Sequence, residues 1–207
     1  MEWGTIEHIV TLAREVVLIS VAVIGAIVGI LGLRTWRRQL KGQSEYELAR
    51  RYLRAIYDYR DALNSARNSF ISTGEMLAAW IEAGYEEKEF SPLDDSGRSD
   101  GAVYTRRWKD VVAAFTKLHV EVIEAEVLWG KKAHECYMPL DTCARQYYSA
   151  MQQYVHYKAG RRKYDNDKIF KIESIIWSGA DEEGVYEKSI EDAVAAVEAW
   201  LKPKLKQ

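Results

Sequence analysis

Residues 16–33 read VVLISVAVIGAIVGILGL, a run with one weakly polar member, Ser20, and no charge. The hydrocarbon core of a bilayer is roughly 30 Å thick and needs about 20 such residues at a rise of about 1.5 Å each. Thr11, Leu12 and Ala13 extend the run if Arg14 and Glu15 lie at headgroup level, where long charged side chains snorkel or pair. The competing fate is a helix buried on all sides in a globular core. A chain of 207 residues with a charged, amphipathic remainder has little interior able to enclose one. The run therefore predicts a single membrane-spanning helix. A cleaved leader would need a basic head and a small-x-small site after the run. Here Glu2 and Glu7 make the head acidic and the run ends in Gly32-Leu33-Arg34, so an uncleaved anchor is expected.

The flanks set the expected direction. Arg34, Arg37, Arg38 and Lys41 follow the run with Trp36 among them, whereas Glu2, Glu7, Arg14 and Glu15 precede it. Positive charge stays on the cytoplasmic side, and Trp suits the membrane interface. The expectation is a single-pass protein of the cell membrane, with a short outer N-terminus and a cytoplasmic C-terminal domain. Ala22, Gly25, Gly29 and Gly32 fall within about an 80° arc of this helix. Small residues on one face let two membrane helices approach closely, so this face is the candidate for helix pairing. The four basic residues are the candidate contacts to anionic headgroups.

Residues 1–41 thus form the outer segment, anchor and basic stop, and residues 44–207 are long enough for one domain. Ser44 with Glu47 fits a capping box, and Gly42 is the expected joint before it. Apolar residues then recur at helical spacing: Leu48, Tyr52, Ala55, Ile56, Tyr59, Leu63, Ala66 and Phe70. A short helix is expected over 74–81 with Gly84 ending it, then a loop through SPLDDSGRSDG. A second stripe runs from Tyr104 to Ala133, predicting a helix over about 102–136 broken near Pro139. A third long helix should follow to Gly160, a short one over 165–177, and a last one over 181–201 with early acids and late lysines. No alternating β pattern is present. The expected fold class is all-α: a single N-terminal transmembrane helix followed by a cytoplasmic antiparallel helical bundle, with a long parallel coiled coil disfavoured by the breaks.

Chemistry-bearing motifs are sparse. Cys136 and Cys143, with His134 and His156, match no compact metal motif, and no Glu-x-x-His pair exists for a di-iron bundle. No nucleophile elbow and no phosphate loop with its Lys is present. His119, Glu121 and Glu124 share one helix, and together with His134 they are the first candidates for a site assembled between helices. No cofactor is expected. A second basic patch lies at Arg161, Arg162 and Lys163, but the net charge of −2 and the absence of a recognition helix argue against nucleic acid. Tyr57 lies off the apolar stripe and Trp80 lies in an irregular segment. With the basic patch they form the candidate interaction surface.

The functional expectation is a membrane-tethered helical interaction module, acting as adaptor, scaffold or regulatory subunit. Its expected partners are the bilayer and a protein, or a second copy paired through the membrane helix. An enzyme built around His119, Glu121, Glu124 and His134 is the first alternative. A membrane-active or pore-associated subunit is the second.

Overall fold

A computed structural model of the chain describes residues 3–91, 96–181 and 183–206, with side chains except at 3–13, 15–17, 19, 22, 96 and 206. The described elements are helices: α1 (Trp3–Ala66), α2 (Thr73–Glu82), α3 (Ser96–Trp129), α4 (Lys132–Lys158), α5 (Asn166–Ile176) and α6 (Val185–Leu201), with single 3-10 turns at Glu87–Glu89 and Lys204–Lys206. Single residues explain several boundaries. The Ser72 hydroxyl accepts from the Glu75 amide to start α2, and the Asp165 carboxylate accepts from the Lys168 amide to start α5. Gly84, with φ of +88°, ends α2, and Gly130, with φ of +74°, separates α3 from α4.

The chain divides into two units, Met1–Glu45 and Tyr46–Gln207. In the first, the membrane expectation is overturned: among the described residues no helix is long and apolar enough to cross a membrane. Among the described side chains the uninterrupted apolar stretch is 23–33, which at about 1.5 Å per residue covers about 16 Å. The side chains of Val16, Val17, Ile19 and Ala22 lie outside the described residues. Arg34, Arg37, Arg38 and Lys41 continue the same helix, and Lys41 pairs with Glu45 at 3.8 Å. A Cβ added at Gly25, Gly29 or Gly32 meets nothing within 4 Å, so no described neighbour packs on that face. The single-pass topology, the bilayer tether, pairing through a membrane helix and the pore-subunit reading fall with the anchor. The capping box fails too. Gly42 and Ser44 lie inside α1, because one helical glycine costs only about 1 kcal/mol and does not stop so long a helix.

The second unit is a four-helix bundle, and its pairings fix the directions. Tyr52 and Tyr59 of α1 reach Ala133 and Asp141 of α4, and Tyr147 of α4 reaches back to Ala66, so these helices run parallel. Tyr104 meets Tyr154, and Trp108 meets Tyr147, so α3 runs against α4. Tyr57 bonds Glu198 and Arg67 bonds Glu187, so α6 runs against α1. The order is up-down-up-down over α1, α3, α4 and α6. The short helices α2 and α5 fill the α1–α3 and α4–α6 connections. The core joins Leu48, Ile56 and Leu63 of α1 to Leu118, Val122, Leu140, Ile190 and Val197. Buried tyrosines are tolerated because their hydroxyls find partners: Tyr52 donates to the Ala133 carbonyl at 2.6 Å and Tyr147 to the Ala66 carbonyl at 2.9 Å.

Candidate functional site

Trp80 lies near the end of α2. It is 2% exposed, and its neighbour Ala79 belongs to a small second core with Ala102 and Val103. Its indole N–H donates to the Glu86 carbonyl at 3.0 Å, which bends the chain after α2 around the ring. The positive φ at Gly84 makes that bend feasible. Tyr85 is thereby laid on Trp80, with ring centroids 4.4 Å apart and planes at 33°. Arg107, 9% exposed, anchors α2 from the other side. Its guanidinium grips both Glu75 oxygens at 2.7 and 2.8 Å and also donates to the Asn68 and Phe70 carbonyls.

The first turns of α3 cross the last turns of α4 at close range. A Cβ at Gly97 would stand 2.8 Å from the Ala159 Cα, and one at Gly101 would stand 3.2 Å from a Val155 methyl. Glycine at both positions is what admits this approach. Behind the crossing, Asp100 pairs with Lys158 at 3.9 Å, and burial raises the Asp100 carboxyl against the pull of that ammonium.

Between α2, α3 and the end of α4 lies a groove of about 290 Å³. Its floor is small and apolar: Ala79, Ala83, Gly97, Gly101, Ala102 and Ala159. Its rim carries Arg98, Arg106, Lys109 and Arg161, with Tyr85 at the lip and one carboxylate, Glu82. Lys109 reaches Glu82 at 2.6 Å and Arg106 reaches it at 3.4 Å. The Lys109 hydrogen bond, aided by the charges of Lys109 and Arg106, holds the Glu82 carboxyl below the usual carboxylate range. Among the described residues that line the groove, four are cationic and one is a carboxylate. The N-terminal turn of α3 adds the positive end of its macrodipole. The opposing carbonyl end of α4 is largely satisfied internally, since the Ala159, Gly160, Arg161 and Arg162 amides close on it.

Of the residues singled out in the sequence, Arg161 lines this groove. Arg162 and Lys163 are exposed, Arg162 beside the Tyr164 hydroxyl at 3.4 Å, and neither lines the groove. Trp80 is corrected from surface to core. Tyr57 is half-buried and donates to Glu198 at 2.8 Å. The enzyme alternative is overturned because its residues are not brought together. Glu121 and Glu124 both turn to Arg51, at 3.1 and 2.5 Å. His119 stacks on Phe115 and His134 meets Tyr137 edge-on. Among the described residues no group of three or more His, Cys, Asp or Glu is placed to hold a metal ion. Cys136 and Cys143 are buried, and burial raises both thiols above the ordinary value, away from nucleophilic use.

Arg98, Arg106, Lys109 and Tyr85 belong to no motif and do not stand out in the sequence. A signal is nonetheless present: Arg98, Ala102, Thr105, Arg106 and Lys109 share one face of α3, pairing basic residues with small ones. The chain matches no protein family, no curated protein and no solved structure.

Proposed function

We propose that this protein is a helical binding module whose α2–α3–α4 groove holds a phosphate-bearing ligand. The observation that carries the reading is the convergence of Arg106, Lys109 and Arg161, with Arg98, on a concave surface whose described lining holds one carboxylate. Three of the four are arginines, whose planar forks match the paired oxygens of a phosphate group. A bound phosphate competes with Glu82 for Arg106 and Lys109, exchanging an exposed surface pair for charge-assisted bonds in a partly enclosed site. The small floor residues leave room for the ligand to lie against backbone.

The test is calorimetric titration of the full chain with pyrophosphate at low salt. Binding is expected, with affinity falling as salt rises because the contacts are ionic. Arg106→Ala or Lys109→Ala should each weaken it roughly tenfold, about 1.4 kcal/mol for one lost charged contact. Arg54→Ala, on α1 and outside the groove lining, is the control. Absence of binding at millimolar pyrophosphate, or binding indifferent to both groove variants, would overturn the reading.

A further inference from the structure

We infer that the phosphate-bearing ligand also carries a planar aromatic ring, which stacks on Tyr85; the ligand class is a nucleotide. The inference rests on the phosphate reading of the groove and extends it. Tyr85 lines the same groove as the four cations. One face of its ring is held by Trp80 at 4.4 Å, while the side chain as a whole stays 39% exposed. Trp80 is itself fixed, buried to 2% exposure, bonded to the Glu86 carbonyl and met edge-on by Phe90 at 6.0 Å. The backbone adds a further restraint, since the Tyr85 amide donates to the Trp80 carbonyl at 3.3 Å. Tyr85 is therefore a platform set in place before any ligand arrives, with one face backed by a rigid indole.

Such a platform suits a ring better than a chain. Every nucleobase offers a π face, and stacking on a fixed aromatic needs no base-specific hydrogen bond. Preorganisation matters, because little rotamer freedom remains to be lost on binding. The alanines and glycines of the floor leave the space beside Tyr85 unfilled. The volume of about 290 Å³ sits at the lower end of small-ligand sites and fits a mononucleotide better than a larger cofactor. The cationic rim lies in the same groove, so one ligand spans both: ring on Tyr85, phosphates toward Arg106 and Lys109.

Calorimetry of the full chain with ADP, pyrophosphate and ribose 5-phosphate separates recognition of the phosphate from recognition of the ring. ADP is expected to bind about tenfold more tightly than pyrophosphate, and ribose 5-phosphate more weakly than either. Tyr85→Leu keeps bulk over Trp80 and removes the π face, so the advantage of ADP should vanish. Tyr85→Phe should retain it. Arg106→Ala should weaken ADP and pyrophosphate alike. If pyrophosphate binds through Arg106 but ADP binds no more tightly, the nucleotide inference fails and the phosphate reading stands. The nucleotide inference fails in the same way if the ADP advantage survives Tyr85→Leu. If neither probe binds, both fail. Circular dichroism of each variant confirms that the bundle is intact.

Discussion

Arg67 should be among the most expensive side chains to remove from this bundle. It is 1% exposed, at the end of α1. Its guanidinium donates to the Ile175 carbonyl at 2.7 Å, to those of Ser174 and Trp177 at 3.3 Å, and to Glu187 at 2.8 Å, and it lies over the Tyr186 ring at 4.5 Å. The last carbonyls of a helix have no partner within it, and here one arginine caps α5 and holds the start of α6. A hydrogen bond from a charged donor contributes about 1.5–3 kcal/mol, and breaking one side of a buried ion pair costs about 3–5 kcal/mol. These contributions overlap in a single side chain and do not sum. Arg67→Met, which keeps the stem volume, should therefore lose about 3–5 kcal/mol. In urea, with a slope of about 2 kcal/mol per molar, the midpoint should fall by about 2 M.

The acid limb provides an independent check. Burial alone would raise Glu187, but the hydrogen bond from Arg67 and those from the Glu187 and Gly179 amides outweigh it and leave the carboxyl below its ordinary value. A lowered folded-state value means that Glu187 stabilises the protein fully above the unfolded carboxylate range, near about 4.3, and that this is lost as pH falls through the lowered value. Wild type should exceed Glu187→Gln in stability at neutral pH and converge with it in strong acid. A loss below about 1 kcal/mol for Arg67→Met, or a Glu187→Gln difference that does not change with pH, would refute the capping role of Arg67.

Two further substitutions test the groove's construction. Gly97→Ala forces a methyl to within 2.8 Å of the Ala159 backbone and should destabilise the chain by about 1–3 kcal/mol by thermal melting; a gain in stability would show that the helices have room to part. Glu82→Gln removes the internal competitor for Arg106 and Lys109 and should tighten pyrophosphate several-fold in calorimetry; weaker binding would mean that Glu82 positions those cations rather than occupying them.

The bundle is legible in the sequence because its stripes are long; its caps are less so, since the expected Ser44–Glu47 box lies inside α1. Leu48, Tyr52, Ile56 and Tyr59 are core as their spacing requires, and Ser72 and Asp165 start helices by a bond to an amide three residues on. Breaks are less legible. Pro139 reads as a division between two helices, yet it lies within α4 on an exposed position, where the carbonyl its ring leaves unbonded can meet water. The division falls at Gly130 instead, because only a left-handed backbone reverses the chain there and the apolar stripe continues past it to Ala133. The expected membrane span is not supported among the described residues of α1.

The groove is not legible because its parts come from three places in the chain. Glu82 and Tyr85 lie at and just beyond the end of α2, Arg98 to Lys109 begin α3, and Arg161 follows α4. None is a motif alone, and the glycines that join them look like loop composition until the crossing with Ala159 is seen. The same geometry explains why this end of the bundle is the natural place for a ligand. α2 meets α3 through a small core of Ala79, Ala102 and Val103 and through the ion pairs Glu75–Arg107 and Glu82 with Arg106 and Lys109. A ligand whose phosphates meet α3 and whose ring meets the α2 lip supplies the attraction that Glu82 now provides in part. Because buried Trp80 and the Glu75–Arg107 pair already hold α2 in place, the ligand exchanges partners with Glu82 without having to order the helix.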